Sequence, residues 1–292
     1  MASDEDSKDS LLSEVKERRL ALVDLLETRL KDSLTSETAE EREKGVDKLV
    51  YVLVNLPKDF LEAGEVQTLF TFLCAKLSDA VLIGAPTVKG LHHLILRCER
   101  QPENFRGVVF NQLIREAQAQ SLTPSERFLL YQIFEWLVQG QAGASASQFG
   151  SDFLLAFMQA IEGERDPRNL MLIFQLFCRI TSAFPLGPFG SDLFEAMTCY
   201  FPIEFKTPAK DPYGITASQL SESLIRCLVS HASFAAVCFD LITEKLLEET
   251  AVEKRIDCFR LMPILCVRWL QALYDHSDQL PNTLRKKFTM FW

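Results

Sequence analysis

Metal-binding signatures are missing from this sequence: its eight cysteines, at 74, 98, 178, 199, 227, 238, 258 and 266, include no Cys-x-x-Cys pair. Cys258 and Cys266, the nearest two on one expected helix, stand about two turns apart, too far to share a metal unaided. Histidine is scarce, with four in 292 residues. His92 and His93 point to different faces of a helix, as a core and a surface residue, and cannot ligate one ion together. No His-Glu-x-x-His, Walker loop, dinucleotide fingerprint or Gly-x-Ser-x-Gly occurs, so nothing announces metalloprotease, nucleotide or serine-hydrolase chemistry. No enzymatic activity, cofactor or metal is expected. No run of 18 uncharged apolar residues exists, since even Asn169 to Phe189 is broken by Gln175, Arg179 and a Pro-Gly-Pro corner; no membrane span or membrane partner is expected.

Basic charge is thin as well. Lys and Arg number 31 against 40 Asp and Glu, a net charge of −9, and Arg285-Lys286-Lys287 is the only compact basic run. Direct nucleic-acid binding, which needs a basic surface, is not expected. The start is acidic (Asp4, Glu5, Asp6, Asp9) and is followed by no apolar segment of the secretory kind. Residues 1–9 read as a disordered acidic terminus. Most cysteines fall on the apolar phase of a helix, which suits free thiols in a reducing compartment. A cytoplasmic and nuclear location is therefore expected. Tyr and Trp are few, five and three against 22 Phe, an aromatic balance of cores rather than interfaces. Phe128, Tyr131, Phe134 and Trp136 exceed one stripe of their helix, yet core packing is the better reading.

What is present is helical periodicity. The 3.6-residue spacing runs through almost every segment, and strict alternation is absent. Helices are expected over 11–34, from Thr38 (with Glu41 as capping partner) to before Pro57, 65–77, from Pro86, 103–117, 123–138, 151–162, 166–184, 192–200, 216–230, 233–249 and 252–273. Thr123-Pro124-Ser125-Glu126 and Asp166-Pro167 are strong start signals. Gly140 to Gly150 reads as a loop, and Pro263 interrupts the last helix. Glu162, Glu164 and Asp166, beside Arg165 and Arg168, read as a salt-bridge cluster at a helix terminus rather than a carboxylate catalytic pair. Pair starts recur every 40 to 50 residues, the spacing of HEAT or armadillo repeats. Short connections make neighbours antiparallel, and stacking buries faces that one pair cannot. The fold class is all-α: an α-solenoid of antiparallel helix pairs forming one domain over 10–292. A globular helix bundle is the competing architecture, but it needs long crossovers that these loops do not supply.

One segment resists the helical pattern. Between Cys199 and Thr216, Pro202, Pro208 and Pro212 each fix φ and remove a donor, so neither helix nor central strand runs through. The loop at 200–216 is nevertheless apolar, with Tyr200, Phe201, Ile203, Phe205, Tyr213 and Ile215. It should be ordered and pressed against something. Asp211-Pro212-Tyr213-Gly214 has turn chemistry, and Thr216 with Gln219 forms a capping box for the next helix. Tyr200, Phe201, Pro202, Ile203, Glu204, Phe205, Pro208, Asp211, Pro212, Tyr213 and Gly214 form the candidate interaction or clamp loop, with the clamp between the two flanking helices as the preferred reading.

Ordered motifs extend around this loop. Phe157-x-Gln159-x-x-x-Gly163-Glu164-x-Asp166-Pro167-Arg168-Asn169-Leu170 is followed by Leu186-Gly187-Pro188-Phe189 and Leu193-Phe194-Glu195. Thr198-Cys199-Tyr200-Phe201-Pro202-Ile203-Glu204-Phe205, Pro208-x-x-Asp211-Pro212-x-Gly214-Ile215 and Ile242-x-Glu244-Lys245 complete the set. Together they resemble the N-terminal domain of the MMS-nineteen nucleotide excision repair and transcription protein family, HEAT-repeat adaptors of the cytosolic iron–sulfur protein assembly targeting complex. Weaker similarity runs upstream through Arg42-x-x-Gly45, Glu65-Val66-x-x-Leu69 and Gly90-Leu91, and fades beyond about Val252. The resemblance implies a non-enzymatic scaffold that recruits apo iron–sulfur clients, among them DNA repair and replication helicases and the helicase subunit of transcription factor IIH. It implies as partners the other subunits of that targeting complex, which dock mainly on C-terminal repeats of the longer family members. The alternative from the residues alone is a generic transport or regulatory solenoid that binds basic peptides with its acidic surface.

Overall fold

The computed structural model describes residues 2–18, 22–77, 84–115, 117–139, 142–204, 213–248 and 252–275, and among these every regular element is helical. Where one domain is expected over 10–292, the chain divides into two compact units: residues 1–141 with 159–163, and residues 142–158 with 164–292. Within each unit helices pack on helices one pair further along the chain, as in an α-solenoid.

In the first unit, α1 spans Ala2–Arg18, and α2 covers 22–34 with a π turn at Leu26–Leu30. Then follow α3 (Ala39–Asn55), α4 (Ala63–Leu77), α5 (Gly84–Leu96), α6 over 105–114, again closing in a π turn, and α7 (Pro124–Val138). Helix α3 packs on α5, and α5 on α7, while α4 pairs with α5. The apolar stripes explain this order: Val46, Leu49, Val50 and Leu53 on α3, Phe70 and Leu73 on α4, Leu91, Leu94 and Ile95 on α5, and Tyr131 and Phe134 on α7 are all buried. Gly90 permits the close approach of α5, since a Cβ there would stand 2.7 Å from Val50 Cγ2 and 2.9 Å from a Leu73 methyl.

The repeat length is written in the hydrogen bonds. Lys8 bonds Asp47 and Tyr51 bonds Asp9, at separations of 39 and 42 residues. Lys76 Nζ donates to the Leu34 carbonyl at 42, His92 meets Gln132 at 40, and Gln120 donates to the Gln159 carbonyl at 39. A side chain thus finds its partner about one helix pair along the chain, as a one-dimensional array requires.

The second unit contains most of α8 (Ala142–Ile161), then α9 (Pro167–Ala183), α10 (Gly190–Thr198), α11 (Ala217–Leu228), α12 (Ala235–Glu248) and α13 (Val252–Asp275). Helix α9 packs on α11, α10 on α11, and α12 on α13. The same ladder recurs: Thr181 to Ser230 at 49 residues, Ser221 to Asp257 at 36, and Arg268 to the Val229 carbonyl at 39.

Five readings of the sequence are corrected here. Residues 2–9, expected to be disordered, belong to α1, where Lys8 and Asp9 are tied to α3. Thr38 occupies the N-cap position of α3 without a side-chain cap bond; its hydroxyl contacts Ser36 instead. The stretch 142–149 is helical rather than a loop, because Ala, Ser and Gln tolerate helix and Ala146 and Phe149 are buried. Only Gly150 breaks it, at φ 54° and ψ −138°, a backbone that favours glycine. Pro263 lies inside α13 without ending it. His93, expected on the surface, is half-buried like His92.

Candidate functional site

The segment from Glu164 to Leu170 turns the chain into α9. Asp166 adopts the extended N-cap conformation, and its Oδ1 accepts from the backbone N–H groups of Arg168 at 3.0 Å and Asn169 at 3.1 Å. Pro167 occupies the first helical position, where a missing N–H costs nothing. Behind this cap sits Glu164, only 1% exposed. Its Oε1 accepts from the N–H groups of Arg165 and Asp166, both at 2.9 Å, and its Oε2 from the Asn169 side-chain amide at 2.9 Å. A carboxylate can be buried only with such compensation. At this helix terminus Glu164 and Asp166 both serve backbone amides.

The described ends of the irregular loop meet the same corner. Tyr200 sets its ring edge against Phe174 of α9, with centroids 6.0 Å apart. Its hydroxyl shares a hydrogen bond with the Glu164 backbone, and burial, followed by the nearby charges of Cys199 and Glu164, pushes the phenol well above its ordinary range. Phe201 is buried and joins Pro202 through a cis peptide bond. Pro202 and Ile203 are half-buried and Glu204 is exposed. Phe205, Pro208, Asp211 and Pro212 lie outside the described residues.

The chain returns at Tyr213, which is 55% exposed. The Arg168 guanidinium lies 4.7 Å from its ring centre, and Arg168 Nη1 donates to the Tyr213 hydroxyl at 3.2 Å. Gly214 is exposed and leads to Thr216, whose N–H donates to Gln219 Oε1 at 2.8 Å while Gln219 N–H donates to Thr216 Oγ1 at 3.3 Å. The capping box expected for α11 is present. So is that of α7, with Thr123 and Glu126.

Two blocks 45 residues apart are thus joined, through Tyr200 to Glu164 and Phe174 and through Tyr213 to Arg168. The pairing of Arg168 with Tyr213 and the burial of Glu164 with Asn169 escape a reading of the sequence. The usable signal is that each block is rich in turn and cap residues. Chemically, the corner presents an anchored arginine and an exposed aromatic ring. Among the described residues, no three His, Cys, Asp or Glu side chains gather as a metal-ligand set, and no single helix is long and apolar enough to cross a membrane. The four aromatics of α7 are mainly core: Tyr131 donates to the Ala160 carbonyl at 3.0 Å, Phe134 is fully buried, and Trp136 packs on Phe105 and under the Arg106 guanidinium.

Comparison with known proteins adds independent findings. Residues 28–290 match the family profile MMS19_N, described as Dos2-interacting transcription regulator of RNA-Pol-II. The match extends well past Val252, where the resemblance read from the residues fades. The chain is 32% identical over 254 residues to the MMS19 nucleotide excision repair protein of Drosophila melanogaster, covering 87% of this chain and 26% of that protein. It is 35% identical over 235 residues to the Danio rerio homolog, covering 80% of this chain and 22% of the relative. With the Homo sapiens homolog it shares 30% identity over 275 residues, 94% of this chain and 26% of the relative. The chain spans about a quarter of the length of these curated relatives.

Proposed function

The chain belongs to the MMS19 N-terminal family, and from that premise we propose that it is a non-enzymatic adaptor segment serving DNA repair and transcription. Its specific work, on this reading, is to recruit apo iron–sulfur proteins for cluster insertion. The clients are DNA repair, replication and transcription factor IIH helicases, the cluster is cargo rather than a resident cofactor, and the other subunits of the cytosolic assembly complex are the partners. A nuclear place of action goes with repair and transcription, and a cytoplasmic one with cluster assembly.

The observation that carries this reading is the corner where Glu164–Asn169 and Tyr200–Gly214 meet. The two blocks that most resemble the family are held together by Arg168 on Tyr213 and by Tyr200 against Glu164 and Phe174. Glu164 and Asp166 are fixed by backbone bonds and Tyr213 by Arg168, so the corner can present a constant surface to a partner at little entropic cost. Repeat arrays recognise proteins through such extended, locally braced faces. A second reading is supported by the net charge of −9: a transport or regulatory solenoid that takes basic peptides.

Affinity capture with the 292-residue chain as bait, with partners identified by mass spectrometry, separates the two. Enrichment of iron–sulfur helicases and assembly subunits is expected. A bound fraction of proteins carrying basic signals, with iron–sulfur clients missing, would replace the adaptor reading by the transport one.

A further inference from the structure

Two of the eight cysteines meet across stacked helices. Cys178 lies on α9 and Cys227 on α11, 49 positions apart, and their sulfurs are 3.8 Å from each other. Cys227 Sγ also donates to the Phe174 carbonyl at 3.2 Å, one turn before Cys178. One turn beyond the sulfurs, the hydroxyls of Thr181 and Ser230 bond at 2.8 Å. The register of the two helices is therefore pinned on both sides of the sulfur pair.

The two thiols are not alike. Cys227 is fully buried, whereas Cys178 is half-buried. Burial pushes the Cys227 thiol well above its ordinary pKa and keeps it protonated. The hydrogen bond with Cys227, followed by the charges of Arg268 and Arg226, draws the Cys178 pKa down against the opposing effect of burial. A partly exposed thiol of lowered pKa beside a buried, protonated one is the arrangement of an attacking and a resolving cysteine.

We propose that Cys178 and Cys227 are an oxidation site that closes to a reversible disulfide when the protein meets hydrogen peroxide. The Cys178 thiolate attacks one peroxide oxygen, the O–O bond breaks, and the departing hydroxide takes a proton to leave as water. Cys178 is now a sulfenic acid. The Cys227 sulfur attacks it, the S–O bond breaks, and the Cys227 proton leaves with the hydroxyl as a second water. Two thiols and one peroxide yield one disulfide and two waters. The new bond joins α9 to α11 and encloses α10 with the loop that carries Tyr200 and Tyr213, so oxidation would stiffen the candidate contact corner without blocking it. Exposed Cys199 is the natural competitor for the oxidant.

The test exposes the intact 292-residue chain to hydrogen peroxide, blocks remaining thiols with an alkylating agent, and maps peptides by mass spectrometry without reduction. A Cys178–Cys227 linked peptide, lighter by two hydrogens than the separate peptides and released by dithiothreitol, is the expected product. The oxidised chain should also melt higher by on the order of 5 °C, since a cross-link over such a span restricts the unfolded chain. In Cys227→Ser, Cys178 should advance to sulfinic acid. Recovery of Cys227 as the alkylated thiol while Cys178 is oxidised alone, or linkage predominantly through Cys199, would overturn the proposal. So would protection of both thiols by Cu(I) with no disulfide under peroxide, which would make the pair a soft-metal site. If Cys227→Ser does not fold, the wild-type peptide map decides the question by itself.

Discussion

Glu164 is a carboxyl side chain with 1% of its surface exposed, and three N–H donors converge on it. Removing it leaves two backbone amides and the Asn169 side chain without those bonds, and hydrogen bonds to a charged group contribute more than neutral ones. Glu164→Ala should therefore destabilise the chain by about 2–4 kcal/mol, read as a lower urea midpoint. A second residue-scale effect concerns His92 and His93, whose pKa values burial lowers from 6.5. The unfolded chain then binds protons more readily than the folded one, so stability is complete above 6.5 and is lost as pH falls through it toward the folded values. Melting temperature should drop between pH 7.5 and 5.5, and His92→Gln should drop less over the same interval. An equal drop in both proteins would remove His92 from the account.

At the scale of elements, the loop's role turns on Phe201, buried within an otherwise irregular segment. If the loop is a clamp between α10 and α11, Phe201→Ala should cost about 3–5 kcal/mol, the usual loss for a truncated core aromatic. If it is only a docking surface, thermal unfolding will be unchanged and partner capture will weaken. The approach of α3 and α5 gives a second element-scale expectation. Gly90→Ala drives a methyl against Val50 and Leu73, and overpacking of this kind costs about 1–3 kcal/mol, measurable by chemical denaturation. The helices themselves were legible in the sequence because Leu, Val and Phe recur at helical spacing and because Thr123, Asp166 and Thr216 cap where they should. What was not legible depends on partners far along the chain. The first helix is tied down by Asp47 and Tyr51, about one repeat away. Thr38 loses its capping role to a contact with Ser36, a choice between two local bonds of similar strength. The corner of the candidate site needs Arg168 and Tyr213 to meet across 45 residues, which no periodicity encodes; only the family motifs marked both blocks as belonging together.

At the scale of the whole molecule, hydrogen bonds that span 36 to 49 residues recur within each of the two units, where a helix pair leans on the next. The stability of such a unit is distributed among neighbouring helix interfaces, and the irregular corner of the second unit departs from a plain repeat. The chain spans about a quarter of its curated relatives, so the sharpest question is what this quarter contributes to the whole. The decisive measurement is capture of apo iron–sulfur helicases by a full-length relative and by the same protein lacking the region equivalent to residues 1–292. Loss of at least some clients on deletion, with the isolated 292-residue chain able to bind those same clients, is the result the account predicts. Equal capture of every client by the truncated protein would contradict it.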